Sequence, residues 1–315
     1  MNYQESLKFI EESHKFGIRL GLENSLKLLE LLGNPQDKLK IIHVAGTNGK
    51  GSVCSFISNA LQAQGYKVGL YTSPYLEKFT ERIRINGENI PEEDVARIVT
   101  LMREKIEQMV KEGFSYPTEF EIETAMAFYY YWEQGVDYVA LEVGLGGRYD
   151  ATNVIKDSLA SVIVSLSLDH IGILGDTLWK IAYEKAGIIK PNGLTISYKQ
   201  KEEAAEVIKD VCKEQNSEYI EVDFDSINVK KSDVSSQIFD CTIDGEKFED
   251  NPKIEKSWFM KGSVIIGASS LLVDTNFLVS TDVKLIADNY KMYDGWGKDQ
   301  PLPTQQNVST LLGMA

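Results

Sequence analysis

The residues best suited to chemistry lie in one run, Gly46-Thr47-Asn48-Gly49-Lys50-Gly51-Ser52, preceded by the apolar stretch Ile41–Ala45. Three glycines let a backbone approach an anion closely and take dihedrals that other residues avoid. A helix from about Gly51 to Gln64 would turn its amide-bearing end towards the same point, where phosphate is favoured. Lys50 adds a point charge for outer phosphates, and Ser52 a hydroxyl that can ligate magnesium. The run departs from G-x-x-x-x-G-K-[ST] in one respect, since Gly51 separates the lysine from the serine. The chemistry expected is binding of ATP with Mg2+. A glycine-rich corner kept for packing alone would leave the lysine and serine without a reason.

Four further polar residues fall at or after expected strand ends: Ser73, Glu142, His170 and Lys185. A carboxylate within an apolar strand is costly unless paired or bound to metal. Hydroxyl, carboxylate and imidazole could form a magnesium shell, although nitrogen is an unusual ligand for so hard an ion. The plainer readings are a salt-bridged strand end for Glu142 and an ordinary core or surface histidine for His170. Lys185 by itself reads as a solvated helix lysine. Gly144-Leu145-Gly146-Gly147 permits close approach of a ligand or a second loop. Thr118-Glu119-Phe120-Glu121 reads as a helix cap followed by an acidic first turn.

The elements needed to position these groups alternate. Residues 2–16 and 22–32 are expected as helices, 41–45 and 67–71 as strands, and 83–85 as a strand closed by Asn86-Gly87. Pro91 to about Lys111 is an expected helix with proline in its first turn, and 118–134 is a strongly apolar one. Val136–Val143 and Ser158–Ser167 are near-continuous apolar runs, as suits parallel strands buried on both faces. Helices at 177–187 and 202–214 and strands at 194–197 and 219–222 continue the rhythm. The fold class is therefore α/β, a P-loop-containing, doubly wound, mainly parallel sheet with flanking helices. Ligands of such sheets gather at the carboxyl ends of the strands. From about Ser226 the pattern changes to a small antiparallel β meander around Asp244-Gly245. The domain reading is 1–250 as the ATP-binding unit and 251–315 as an unassigned tail.

Composition narrows the partners. The 315 residues are 43% hydrophobic with a net charge of −14, which disfavours nucleic acid. Cys54, Cys212 and Cys241 are scattered and odd in number, fitting neither a disulfide framework nor a zinc site. No signal-peptide pattern and no apolar run of membrane-spanning length is present, so a cytoplasmic monomer without membrane contact is expected.

Six collinear segments carry a resemblance: HVAGTNGKGSV, YTSPYLEKFTERIRING, TEFEIETA, LEVGLGGRYDATNV, SLDHIGILG and IAYEKAGIIKP. Together they resemble folylpolyglutamate synthase/dihydrofolate synthase of the Mur ligase superfamily, closely over about 1–200 and more loosely to 250. The resemblance implies an ATP-dependent ligase of folate biosynthesis and one-carbon metabolism. In that family ATP phosphorylates a carboxylate of dihydropteroate or folate, and the amino group of L-glutamate attacks the acyl phosphate.

Carried over by position, Gly46 to Ser52 would hold the triphosphate and Lys50 would counter the charge of the departing phosphoryl group. Ser73 and Glu142 would ligate one magnesium and His170 another. Lys185 matches a lysine that is carbamylated in the family. Thr118, Glu119, Phe120, Glu121, Tyr149, Asp150 and Ala151 match segments lining the pterin site, and Arg82 is grouped with them as substrate-binding. The family also carries a C-terminal domain with a DGAHNP-like motif and an HQ-x-x-N linker helix, and neither pattern occurs here. The resemblance therefore implies a folate ligase. The alternatives are a truncated, non-catalytic nucleotide-binding remnant and, more distantly, a peptidoglycan Mur-type ligase, against which the pterin-type segments speak.

Overall fold

The computed structural model describes residues 1–17 and 21–222, and beyond them the strand segments 227–232, 236–243, 246–248, 254–255, 264–266 and 284–286. The chain forms two compact units, Met1–Ile220 and Glu221–Ala315.

In the first unit, eight strands form one sheet: β1 (Ile41–Ala45), β2 (Val68–Tyr71), β3 (Ile83–Ile85), β4 (Glu88–Asn89), β5 (Tyr138–Glu142), β6 (Ala160–Ile163), β7 (Leu194–Ser197) and β8 (Glu218–Glu221). Their spatial order is β4-β3-β2-β5-β1-β6-β7-β8. The five strands from β2 to β7 in that order run parallel, while β3 and β4 add an antiparallel edge. The central strand β1 lies between β5 and β6, in register His43↔Leu141 and His43↔Ser161. Chain leaving β1 returns on one side of it as β2, and chain leaving β6 returns on the other as β7. The crevice at the carboxyl ends of β5, β1 and β6 is thus where this topology places a ligand.

The helices of this unit are α1 (Tyr3–Glu11), α2 (Glu23–Leu31), α3 (Lys50–Ala63), α4 (Glu92–Lys111), α5 (Glu119–Glu133), α6 (Ile171–Leu174), α7 (Leu178–Ala186) and α8 (Glu202–Glu214). Successive strand residues serve opposite faces. Val139 and Leu141 join a core with Ile10, Leu28, Met102 and Phe128 from α1, α2, α4 and α5. Ala140 between them packs with Cys54 of α3, Leu70 and Val44. A further cluster seals α7 and α8 against β6 through Ile163, Ala182 and Ile208.

Local departures from the sequence reading have simple causes. The helix expected over 2–16 is α-helical only to Glu11 and continues as a 3-10 turn over Glu12–Phe16. Pro91 is the N-cap of α4 rather than part of its first turn. Cys54 and Cys212 are free and buried, as their isolation suggested. Among the described residues, no helix is long and apolar enough to cross a membrane.

In the second unit, β9 (Ile227–Ser232), β10 (Ser236–Ile243), β11 (Glu246–Phe248) and β12 (Ile254–Glu255) form an antiparallel sheet. This matches the expected meander. Strands β13 (Val264–Ile266) and β14 (Lys284–Ile286) pair in parallel. The remainder of 251–315 lies outside the described residues.

Candidate functional site

The phosphate-loop candidates follow β1 directly and are bound to the segment that follows β6. The Thr47 amide donates to Ser165 O at 2.8 Å. The Thr47 hydroxyl donates to Ser167 O and accepts from the Ser167 amide, each at 3.1 Å. Ser165 Oγ donates to Asn48 O at 3.2 Å. Gly46 is required by contact: a Cβ there would lie 2.2 Å from Val164 Cγ2. Gly49 caps α3 with φ 88°, a left-handed conformation natural to glycine.

Gly51, the extra residue between lysine and serine, faces the metal-ligand candidate. A Cβ on it would sit 3.2 Å from Glu142 Oε2. Glu142 ends β5 and is 2% exposed. Its Oε2 accepts the Ser73 amide at 3.1 Å, so β5, the loop after β2 and the start of α3 meet at one carboxylate. Arg84 of β3 donates to Thr72 Oγ1 at 3.1 Å, beside Ser73. Burial pulls the Arg84 guanidinium below its usual range.

Two lysines converge on the loop. Lys50 Nζ donates to Thr47 O at 3.2 Å, and Lys185 Nζ donates to Gly46 O at 2.8 Å. Read alone in sequence, Lys185 was a solvated helix lysine; in the structure it is 4% exposed. The cause is the glycine run after β5. A Cβ at Gly147 would come within 2.8 Å of Glu184 O and 3.0 Å of Lys185 Cα, so only glycine lets α7 close to this depth. Burial, with the nearby Lys50 charge, lowers the Lys185 amine to about 7, against pulls upward from Asp169 and Asp150. A buried amine titrating there is neutral for about half the time at pH 7.

His170 stands apart from this cluster in character. It is exposed, adopts φ 47° and contacts Asp169, with Nε2 3.5 Å from Oδ2. Among the described residues, no group of three or more His, Cys, Asp and Glu side chains is arranged to hold a metal. Of the three residues expected as metal ligands, Ser73 and Glu142 are neighbours, joined through the Ser73 backbone amide.

The second set of candidates surrounds the start of α5. Thr118 caps the helix, its hydroxyl accepting from the Glu121 amide at 3.3 Å. Glu121 returns Oε2 to the Thr118 amide at 2.8 Å, and its Oε1 accepts from Ser25 Oγ at 3.0 Å. The capping reading of this motif is therefore what the geometry displays. Glu119 pairs with His14 at 2.9 Å. Phe120 lies against Gly144, where a Cβ would meet its ring at 2.4 Å. In the segment that follows, Tyr149 is 47% exposed and Ala151 is buried. Asp150 is buried too, accepting from the Leu145 amide at 2.8 Å and the Thr152 amide at 3.0 Å. Burial raises its carboxyl, against those hydrogen bonds.

Arg82 meets Glu123, a residue that sequence reasoning passed over. Nε and Oε1 are 3.3 Å apart, yet both atoms lack a hydrogen-bond partner, so the contact is ionic without being aligned. Tyr75 covers the guanidinium, its ring centroid 4.9 Å from Arg82 Cζ. Burial lifts the Glu123 carboxyl to about 7, with Arg82 opposing and Glu119 assisting. The available signal was its place four residues after Glu119, on the same face of α5. His43 and Thr152 were also passed over, because each is an ordinary core position in its own element.

Residues 44–256 match the family described as the Mur ligase middle domain, more than half of the chain. The chain belongs to the Mur ligase family. Among curated proteins, the chain is similar to dihydrofolate synthase/folylpolyglutamate synthase of Bacillus subtilis, at 45% identity over 66% of this chain and 48% of the relative. It is 38% identical to folylpolyglutamate synthase of Lacticaseibacillus casei, over 71% of this chain and 53% of that protein. It thus spans about half the length of the curated relatives it matches. Among solved structures, it superposes on an FPGS-AMPPCP-folate complex with TM-score 0.75 at 31% identity, covering 100% of this chain and 72% of that one.

Proposed function

We propose that this Mur ligase binds ATP with magnesium at the ends of β1, β5 and β6 and serves a ligase that joins L-glutamate to dihydropteroate or a folate. The observation that carries the reading is the convergence of Lys50 and Lys185 on the carbonyls of one glycine-rich loop, opposite the buried Glu142. Support also comes from the similarity to a complex holding AMPPCP and folate.

In this reading the Gly49–Ser52 amides and Lys50 hold the triphosphate and stabilise charge that spreads over the moving phosphoryl group. The oxygen donors of Ser52, Ser73 and Glu142 suit a hard divalent cation, while the His170 nitrogen suits it poorly. Magnesium, when bound, neutralises phosphate charge. The Lys185 amine, neutral in part near pH 7, is in the form that adds to carbon dioxide to give a carbamate with release of a proton. Phe120, Ala151 and Tyr149 offer apolar and aromatic surface to a flat heterocycle, and Arg82 a cation to a substrate carboxylate.

The test is direct. Calorimetric titration with AMPPCP and magnesium should give saturable binding that Lys50→Ala weakens at least about a hundredfold, as for loss of charge-assisted phosphate contacts. Binding unchanged by Lys50→Ala overturns the site. Incubation with ATP, magnesium, dihydropteroate or folate and labelled glutamate then reports on turnover. Glutamylated product above background shows a ligase, and saturable nucleotide binding without product shows the binding function alone.

A further inference from the structure

The least expected buried polar chain in the molecule runs from the middle of β1 into the loop after β5. His43 has no exposed surface, and its Nε2 lies 2.8 Å from Thr152 Oγ1. The Thr152 hydroxyl donates to Asp150 Oδ1. A hydroxyl that donates its one proton to Asp150 can only accept from His43, so His43 carries its proton on Nε2. Burial, with the nearby Lys190 charge, holds the imidazole well below its ordinary pKa and so neutral, which fits a ring with one N–H. Asp150 then spends both oxygens inside the protein: Oδ1 on the Thr152 hydroxyl and amide, Oδ2 on the Leu145 amide, with the Gly144 amide contributing as well. Four donors fill the acceptor positions of one carboxylate.

We infer that His43 and Thr152 are positioning residues that fix the 144–152 segment through the Asp150 carboxylate. The relay ties the strand that launches the phosphate loop to the segment that faces Phe120. His43 and Thr152 are 109 residues apart in sequence, both are fully buried, and each bond polarises the next in a low-dielectric interior. Gly144 is packed so closely on the Phe120 ring that displacement of this segment displaces the ring. The consequence for ligands is specific: loosening the relay weakens the aromatic wall of the substrate side and spares the phosphate loop, which is held by its own bonds to Ser165 and Ser167. This ligand consequence rests on the proposed pteroate or folate site, whereas the relay itself stands on geometry alone.

The experiment uses the full chain with amide hydrogen exchange read by mass spectrometry, and calorimetric titration with AMPPCP–magnesium and with folic acid. His43→Leu and Thr152→Val break the relay; His43→Gln and Thr152→Ser restore a donor at the same reach. The expected result is about tenfold faster exchange across 144–152 in the first two variants, the order of one net buried hydrogen bond, and near-wild-type exchange in the second two. Folic acid should bind about tenfold more weakly to the broken variants, with AMPPCP affinity within about twofold of wild type. If His43→Leu fails to fold, the nearly isosteric Thr152→Val decides. Unchanged exchange in folded Thr152→Val overturns the inference, as does equal loosening of 46–52. Selective loosening in a protein whose wild type binds no folic acid upholds the relay and overturns the pteroate reading.

Discussion

Around the glycine-rich loop, the amines of Lys50 and Lys185 rest on backbone carbonyls of the loop itself. At the first turn of α5, by contrast, the Glu121 carboxylate is taken up by the Thr118 amide and the Ser25 hydroxyl. The first arrangement places the Lys50 cation and the partly neutral Lys185 amine on neutral carbonyls, which are weak substitutes for an anion. The second satisfies its charge internally and spends it on shape. The loop side therefore holds a buried amine at a cost in stability, while the first turn of α5 has its carboxylate satisfied within the protein. Asp150 belongs with the wall and Lys185 with the loop, and the glycine run 144–147 touches both sides, Gly144 against the Phe120 ring and Gly147 against Lys185.

The largest effect should come from Gly46→Ala. Its Cβ would meet Val164 Cγ2 at 2.2 Å and Val164 C at 3.3 Å, so the loop must part from the segment after β6. Chemical denaturation should show a loss of about 3 kcal/mol, and calorimetry a loss of AMPPCP affinity. Gly46→Ala that keeps both would break the idea that the loop is fixed by this contact.

Lys185→Met tests the cost on the loop side. The Lys185 amine sits at about 7 when folded, against 10.5 in its ordinary state. The unfolded chain therefore binds more protons between those values, so this group's penalty is complete below pH 7 and fades as pH rises to 10.5. The variant should be more stable than wild type by about 2–3 kcal/mol at pH 6, and the difference should shrink towards pH 10. Urea titrations at the two pH values measure it. A variant less stable at pH 6 would show that the Gly46 contact outweighs desolvation.

Glu123→Gln asks the same of the α5 side with opposite sign. Its carboxyl sits at about 7 when folded against 4.5 ordinarily. The native state binds more protons in that window, so wild-type stability from this group falls as pH rises from 4.5 to 7. Relative to wild type, the variant should gain about 2 kcal/mol between pH 4.5 and 7.5. A gain near zero would mean that Arg82 compensates the buried charge fully.

The smallest pair separates architecture from contact. Glu121→Ala should cost about 1–2 kcal/mol through loss of the capping box and the Ser25 bond. Glu119→Ala, paired with a well-exposed His14, should cost only about 0.2–0.5 kcal/mol. Thermal melts of both distinguish them. Equal losses would place Glu119 in the wall as well.

Much of this was written locally. Alternation of apolar runs with amphipathic helices placed β1, β5, α3 and the start of β6 within a residue or two, because strand burial and helix period depend on near neighbours; the run expected to 167 ends as a strand at Ile163. Glycine, lysine and serine at the turn after β1 marked the candidate phosphate loop for the same reason. Thr118 and Glu121 are three residues apart, so their capping box was visible as a pattern.

What only the tertiary structure decided were the encounters between distant segments. Lys185 looks like any helix lysine until Gly147 lets α7 sink against the loop after β5. Glu123 looks like helix surface until Arg82 arrives across it, and His43 like a strand filler until Thr152 closes on it. Side-chain burial and the pKa shifts that follow depend on which elements pack together, and sequence spacing carries no measure of that. The sequence by itself determined the glycine-rich corner after β1; packing decided which charged groups gather beside it and which are spent on bonds within the 118–152 region.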